Sequence, residues 1–213
     1  GLIETSLARN VLLLTADTYS KFINPRDRAV RVLFGDAGAA TLISGIESEY
    51  DYIGPFVFGT DGSGKDNLIV HSGAFREPIT EQSSVEQEDQ FGNVRSRSNL
   101  YMNGPEIFNF TLKEVPEAVQ MLLNKSNMKT NDYDFFIFHQ ANKYMLDHLR
   151  LKLKIDANKF PIFLEECGNT VSSTIPITLK YLLENNELKH SNKLMLCGFG
   201  VGYSWAACNV IWK

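Results

Sequence analysis

Two short polar segments place a histidine, which can exchange protons, and an asparagine, which can donate hydrogen bonds, in turns that lead into predicted helices. In FFIFHQANKYML (135–146), His139 follows four apolar residues. In EECGNTVSSTIP (165–176), Asn169 follows Gly168 in a polar turn before a predicted helix. Open α/β sheets place ligands and reactive groups at the carboxyl ends of their strands. His139 and Asn169 are therefore candidate catalytic residues, although alone they also fit a core histidine and a turn residue.

The three cysteines are poor candidates for a nucleophile. Cys167 lies near Asn169, but the adjoining Glu165 and Glu166 would raise the pKa of its thiol. Cys197 and Cys208 lie in apolar segments and are expected to be small buried side chains. Their odd number and the lack of C-x-x-C spacing argue against a disulfide framework or a zinc site, and free thiols fit a reducing cytosol.

Two glycine-rich segments resemble nucleotide-binding loops only in part. In GTDGSGKD (59–66), Gly59, Gly64 and Lys65 match a phosphate-binding pattern, but Asp66 stands where Ser or Thr is needed and no helix is predicted to follow. GFGVG (198–202) lacks the dinucleotide-binding spacing and precedes a strand. We expect a plain turn at the first segment and, at the second, a tight turn whose amides face a cavity.

Apolar patterning predicts the elements that position these residues. The stretch 10–16 predicts a strand covered on both faces, and 32–46 predicts two strands joined by a glycine turn. A helix is predicted from Gly104, and Pro116 kinks or divides it. Two further helices are predicted over about 142–154 and over 173–184, and Ser172 or Ser173 caps the second of them. The later predicted strands cover 133–138, 193–197 and 205–212. Residues 51–100 are predicted to be a surface excursion. Alternating strands and helices predict an α/β fold.

Composition excludes several classes of protein. The chain has 213 residues, 44% of them hydrophobic, which is enough for a substantial core. A formal net charge of -4 with scattered basic residues gives no footprint for nucleic acid. No apolar run is long enough to span a membrane, and no signal sequence opens the chain.

An internal similarity predicts a duplicated fold. NVLLLTAD followed by FGDAGAATLIS resembles KLMLCGFG followed by GYSWAACNVI, each being an apolar strand, a glycine turn and a small-residue strand. The predicted units are residues 1–50 as the end of a first half, 51–100 as a connection and 101–213 as a second half. Little chain precedes the first strand, so we expect the first half to be truncated at its N-terminus.

In this order, the segments VLFGDAGAATLI, YMNGPEIFNFTLKEVP, FHQANKYML, ECGNTVSSTIP and CGFGVGYSWAA resemble the ketosynthase III family, the 3-oxoacyl-acyl-carrier-protein synthases III of the thiolase fold. The resemblance covers nearly the whole chain, and the ordered set is far more specific than any single segment. It implies a thiolase-like fold of duplicated α/β/α layers, of which this chain is the C-terminal portion.

The resemblance also implies roles for particular residues. His139 and Asn169 match the catalytic pair, with His139 assisting decarboxylation, and Asn142 matches a residue lining the pantetheine tunnel. Phe199 matches a phenylalanine beside the catalytic groups, and the amide of Val201, at a glycine position of the family, could donate to an oxyanion if its φ is not positive. Three further residues match positions around the tunnel and the acyl pocket: Met102, Gly104 and Phe108.

The activity implied is decarboxylative Claisen condensation of an acyl thioester with malonyl-acyl-carrier protein, in fatty acid or related biosynthesis. The resemblance implies coenzyme A and acyl-carrier-protein thioesters as substrates, no metal or redox cofactor, and a cytoplasmic homodimer. The family's nucleophilic cysteine has no counterpart among these residues, so the chain alone is expected to be inactive.

Two alternatives remain open at this point. One is a family acyltransferase that does not decarboxylate. The other is a non-catalytic domain that binds acyl-carrier protein through a basic helix face, although such a face is by default only solvated. This face comprises Lys143, Arg150, Lys152 and Lys154.

Overall fold

The computed structural model describes residues 1–213 as an α/β fold. Its strands are β1 (Asn10–Asp17), β2 (Ala37–Ser44), β3 (Ile53–Thr60), β4 (Leu68–Ile69), β5 (Gln87–Glu88), β6 (Val94–Arg95), β7 (Tyr101–Met102), β8 (Phe135–Phe138), β9 (Lys193–Gly200) and β10 (Ser204–Ile211). Its helices are α1 (Gly104–Ser126), α2 (Lys143–Leu153) and α3 (Thr174–Glu184). None of these helices combines the length and the apolar composition needed to cross a membrane.

The main sheet has four strands in the order β3-β10-β9-β8 and is covered on both faces. β8 is parallel to β9, and the other neighbours are antiparallel. Phe136 and Phe138 pack into the cluster formed with α1 and α2, whereas Ile137 packs with Leu182 of α3 on the opposite face. Burying each such side chain contributes about 1.5–3 kcal/mol. The predicted α/β fold with a buried sheet is confirmed.

Helix α1 runs through Pro116 as one helix of 23 residues, so it is not divided there, and a kink at Pro116 stays a prediction. Asn103 caps its start, and Pro105 lies in the first turn, where a missing N–H costs nothing. A proline inside a helix costs about 3 kcal/mol. Val115, Ala118 and Leu122 are buried on either side of Pro116 and hold the helix against the sheet.

The strand pair β1–β2 forms a separate antiparallel sheet. The prediction that β1 is covered on both faces is wrong, because Leu12 and Leu14 are 59% and 67% exposed. The strand predicted immediately before β2 is also absent, since Phe34 makes only an isolated bridge to Asn169. The internal similarity does correspond to structure, because β1–β2 and β9–β10 are both antiparallel pairs.

The predicted surface excursion contains a strand of the main sheet. β3 pairs with β10 from Ile53 to Thr60, so the surface interpretation is wrong for that stretch. Its apolar residues contact the sheet through partners about 150 positions away, which a local pattern does not reveal. Residues 61–100 do consist of turns and two-residue strands. The division into 1–50, 51–100 and 101–213 stays a prediction.

Candidate active site

His139 follows β8 directly and is held from three sides. Its backbone N–H donates to the Cys197 carbonyl oxygen at 2.8 Å, continuing the pairing of β8 with β9. Its Nδ1 lies 2.8 Å from the Thr174 hydroxyl oxygen, and its ring packs edge-on against Phe199. Burial lowers the pKa of His139 from 6.5 to about 4, and a hydrogen bond to the Val171 backbone opposes this effect only in part. The imidazole is therefore neutral at pH 7.

Asn169 is held by the segment that precedes β2. Its backbone N–H donates to the Leu33 carbonyl at 2.8 Å, and the Gly35 N–H donates to the Asn169 carbonyl at 2.9 Å. Gly35 permits this approach because a Cβ there would lie 2.0 Å from the Cys167 carbonyl oxygen. The side-chain Oδ1 accepts from the Val171 N–H at 2.9 Å. Since a backbone N–H only donates, this bond fixes the orientation of the amide and leaves Nδ2 as the outward donor.

Both side chains line two cavities that share part of their walls, of about 560 Å³ and about 80 Å³. The larger cavity is lined mainly by β9, β10 and the start of α3, and the smaller one also by α1 and α2. No Asp, Glu, Lys, Arg or Cys side chain lines either cavity. Hydrogen-bond donors act more strongly on developing charge in such surroundings than in water. The arrangement can therefore stabilise an oxyanion through Asn169 Nδ2 and, when it carries hydrogen, through His139 Nε2.

All three cysteines are free thiols whose pKa values are raised. Burial raises the pKa of Cys197 to about 12 and that of Cys208 to about 11. The pKa of Cys167 is raised by burial and then by Glu166, as the sequence predicts. A thiol with a raised pKa carries little thiolate at pH 7 and is a weak nucleophile.

Sequence models of one family match both ends of the chain. The model described as "3-Oxoacyl-[acyl-carrier-protein (ACP)] synthase III" matches residues 1–62, and the model of the C terminal part of the same enzyme matches residues 123–212. The chain belongs to the 3-oxoacyl-[acyl-carrier-protein] synthase III family. Both His139 and Asn169 lie in the second matched segment.

Curated relatives of this synthase III chain include two bacterial proteins named beta-ketoacyl-[acyl-carrier-protein] synthase III. The one from Acaryochloris marina is 34% identical over 211 residues, which cover 99% of this chain and 61% of the relative. The one from Clostridium tetani is 33% identical over 213 residues, which cover 99% of this chain and 62% of the relative. The chain thus spans about three fifths of the length of these relatives.

Solved structures with similar folds carry the same family name. A crystal structure of a 3-oxoacyl-(acyl-carrier-protein) synthase III has a TM-score of 0.97 and 54% identity, covering 99% of this chain and 63% of that one. The structure of a 3-oxoacyl-(acyl-carrier-protein) synthase from Burkholderia xenovorans has a TM-score of 0.87 and 40% identity, covering 100% of this chain and 58% of that one. The predicted thiolase-like fold is confirmed.

Three of the substrate-contact residues predicted for the synthase III chain line the smaller cavity beside His139. These are Met102, Gly104 and Asn142. The Asn142 side chain is also the cap of α2, because its Oδ1 accepts from the Met145 N–H at 2.8 Å. Phe108 is different, since it lines neither cavity and instead packs against Tyr144 and His148 with 5.5 Å between ring centroids in each pair. That Phe108 lies around the tunnel and the acyl pocket stays a prediction.

The turn between β9 and β10 contributes one wall of the larger cavity. Phe199 and Val201 both line it. Positive φ falls on Gly202, at 129°, and not on Val201, so a β-branched residue at 201 is unstrained. Because the φ of Val201 is not positive, its backbone N–H meets the condition for donating to an oxyanion.

The other glycine segment is a plain turn, as expected. Gly62–Gly64 forms a short 3₁₀ turn whose start is capped by Asp61, and Lys65 pairs with Asp66. No helix follows it, so the segment has no phosphate-binding geometry.

Sequence analysis missed Thr174, which lines the larger cavity and contacts His139. The segment SST predicts only caps for the helix that follows it. That capping prediction is wrong, because the Ser173 hydroxyl makes no cap bond and instead contacts the Thr15 hydroxyl at 3.1 Å. Ser172 is held by Asp17, to which its N–H donates at 3.1 Å. No local signal identifies Thr174, since its partner lies 35 positions away.

Proposed function

We propose that this chain supplies the decarboxylation site of a 3-oxoacyl-acyl-carrier-protein synthase III, which condenses an acyl thioester with malonyl-acyl-carrier protein. The observation that carries the proposal is the pair of uncharged polar side chains, His139 and Asn169, in the wall of a cavity without charged side chains. In this proposal the chain is the C-terminal portion of the enzyme, in line with the family models and with the 61% coverage of a curated relative.

Decarboxylation of a malonyl thioester breaks the bond between the carboxylate and the adjacent methylene carbon. The electron pair of that bond forms an enolate, and its negative charge collects on the thioester oxygen. N–H donors from His139 and Asn169 would stabilise this oxygen, because preorganised dipoles need no reorientation as charge appears. The enolate carbon then attacks the acyl thioester carbonyl, and the thiolate that held the acyl group leaves.

The acyl-accepting thiol is not one of the three cysteines in this proposal. None of them lines either cavity, and the pKa of each is raised. The acceptor would be a cysteine outside these 213 residues, brought to the cavity beside His139. No metal or redox cofactor takes part in this scheme, which stays a prediction.

Acyl-carrier protein is the proposed partner, and the basic face of α2 is its proposed contact. Lys143 is paired with Asp147 at 2.9 Å, and the Lys152 amine donates to the Leu112 carbonyl at 2.7 Å. Exposed charges of this kind assist encounter with an acidic partner more than they add affinity. We also propose that the enzyme is a homodimer in the cytoplasm and works in fatty acid or related biosynthesis.

The test substitutes His139→Ala and Asn169→Ala in the synthase carrying this chain and measures release of radiolabelled carbon dioxide from malonyl-acyl-carrier protein. Removing one donor from an oxyanion site typically lowers the rate by about 10²–10³-fold, and we expect that loss in each variant. Self-acylation, measured by intact mass, should fall less. The double variant should lose less than the sum of both effects, because the two donors serve one oxygen.

Matched controls are His190→Ala and Asn158→Ala, which replace exposed residues outside both cavities. They should release carbon dioxide at the unmodified rate. Near-normal release by both His139→Ala and Asn169→Ala would refute the condensation proposal. Product formation without carbon dioxide release would instead indicate the non-decarboxylating acyltransferase.

A further inference from the structure

One strained residue links the two candidate donors. The Val171 N–H donates to Asn169 Oδ1 at 2.9 Å, and the Val171 carbonyl accepts from the Thr174 hydroxyl at 3.0 Å. The same hydroxyl lies 2.8 Å from His139 Nδ1. Val171 has a φ of 55°, which is rare for a β-branched residue and persists only where the surroundings impose it. The conformation of this loop therefore holds the Thr174 hydroxyl between His139 and the Val171 carbonyl.

The hydrogen bonds of Thr174 determine which nitrogen of His139 carries the proton. A hydroxyl has one hydrogen, and a carbonyl can only accept, so the hydrogen of Thr174 points to Val171. Towards His139 the hydroxyl must then accept, which requires hydrogen on Nδ1. Because the imidazole is neutral, Nε2 is left with a lone pair. In this state Nε2 accepts a proton but does not donate to an enolate oxygen.

The two halves of the proposed reaction need different states of Nε2. Activating a thiol requires an unprotonated Nε2 that accepts the thiol proton and returns it to the leaving coenzyme A thiolate. Stabilising the enolate requires hydrogen on Nε2. A neutral imidazole meets both needs only by changing tautomer, and its Nδ1 partner must then switch from acceptor to donor. A hydroxyl does this by rotating about its C–O bond, whereas a backbone carbonyl does not.

We propose that Thr174 is a positioning residue that sets the tautomer of His139. Its hydroxyl accepts a hydrogen bond from Nδ1 while Nε2 acts as a base. The hydroxyl donates to Nδ1 while Nε2–H stabilises the enolate. The change conserves protons, because Nε2 takes one from water and Nδ1 releases one to water. The assignment of hydrogen to Nδ1 in the resting state rests on the hydrogen bonds of Thr174. The part that concerns decarboxylation rests on the proposed function.

The decisive variant is Thr174→Val, which keeps the shape of the side chain and removes the hydroxyl. Without the hydroxyl, the ring loses the partner of Nδ1 that can change from acceptor to donor. Self-acylation should stay within about twofold of the unmodified enzyme, while carbon dioxide release falls at least about tenfold, as expected when one hydrogen bond is lost. Thr174→Ser restores the hydroxyl and should restore release. A merely structural role would lower both activities together.

Thr178→Val is the matched control. Thr178 lies one turn along α3, is equally buried, and its hydroxyl donates only to the Thr174 carbonyl at 2.9 Å. It lines neither cavity, so both activities should be retained. Equal losses of acylation and decarboxylation in Thr174→Val, or a full rate of release, would overturn the proposal.

A second measurement reads the tautomer directly in the unmodified enzyme. Histidine ¹⁵N chemical shifts distinguish the two neutral tautomers, and loss of one signal in His139→Gln assigns the resonance among the four histidines. We expect hydrogen on Nδ1 in the resting enzyme. Hydrogen on Nε2 there would overturn the tautomer assignment, whereas normal decarboxylation by His139→Ala would overturn the proposed function and leave the assignment standing.

Discussion

Protonation of His139, in the candidate active site, changes the stability of the folded chain. Its pKa is lowered from 6.5 to about 4 in the folded chain, so between these values the unfolded chain binds more protons than the folded one. Stability due to the neutral imidazole is therefore fully present above pH 6.5 and falls as pH drops towards 4. The His139 ring therefore adds to the free energy of unfolding only while it is neutral.

This linkage gives a measurable pH dependence. Between pH 7 and pH 5 the protein should lose about 2 kcal/mol of unfolding free energy through His139. His139→Gln should remove that part of the dependence, and the exposed His190→Gln should not. Urea unfolding at both pH values measures the difference. An unchanged pH slope in His139→Gln would show that the imidazole is not desolvated as the structure indicates.

At the scale of the elements, the segment before β2 acts as a support for Asn169. Gly35 has no room for a side chain, because a Cβ would lie 2.0 Å from the Cys167 carbonyl oxygen. Gly38, within β2, has room, because its Cβ would lie 3.5 Å from the Thr15 carbonyl oxygen. The two glycines therefore differ in steric tolerance although they are three residues apart.

Gly35→Ala should move the loop that carries Asn169 and lower carbon dioxide release by roughly a hundredfold, since displacements of about 1 Å can cost that much. Gly38→Ala should have little effect. Rates are compared at equal folded fraction, checked by thermal unfolding. Normal release by a folded Gly35→Ala protein would show that the backbone pairing of Leu33 and Gly35 with Asn169 does not position the amide.

At the scale of the whole molecule, both donors belong to this chain but no thiol reaches them. Neither cavity is lined by a cysteine. The 213 residues alone should therefore form no 3-oxoacyl product from acyl-coenzyme A and malonyl-acyl-carrier protein, as measured by mass spectrometry of the thioesters. The synthase carrying this chain is the positive control. Turnover by the chain alone, or an acyl group mapped to Cys167, would contradict the assignment of the acceptor.

The sequence by itself determined the parts that depend on neighbouring residues. Periodicity identified α1, α2 and α3 and the buried strands β8 and β9, because burial of one face repeats every few residues. It also set His139 after a predicted strand, where α/β folds gather reactive groups. The position of Asn142 at the start of α2 followed from the same local signals.

Only the tertiary structure decided which distant residues meet. It paired Thr174 with His139 across 35 positions, joined the Gly35 segment to Asn169, and brought β3 into the main sheet. It also placed Phe108 of α1 against Tyr144 of α2. These outcomes depend on how helices and strands pack in three dimensions, and hydrogen bonds between remote residues leave no periodic trace in the chain.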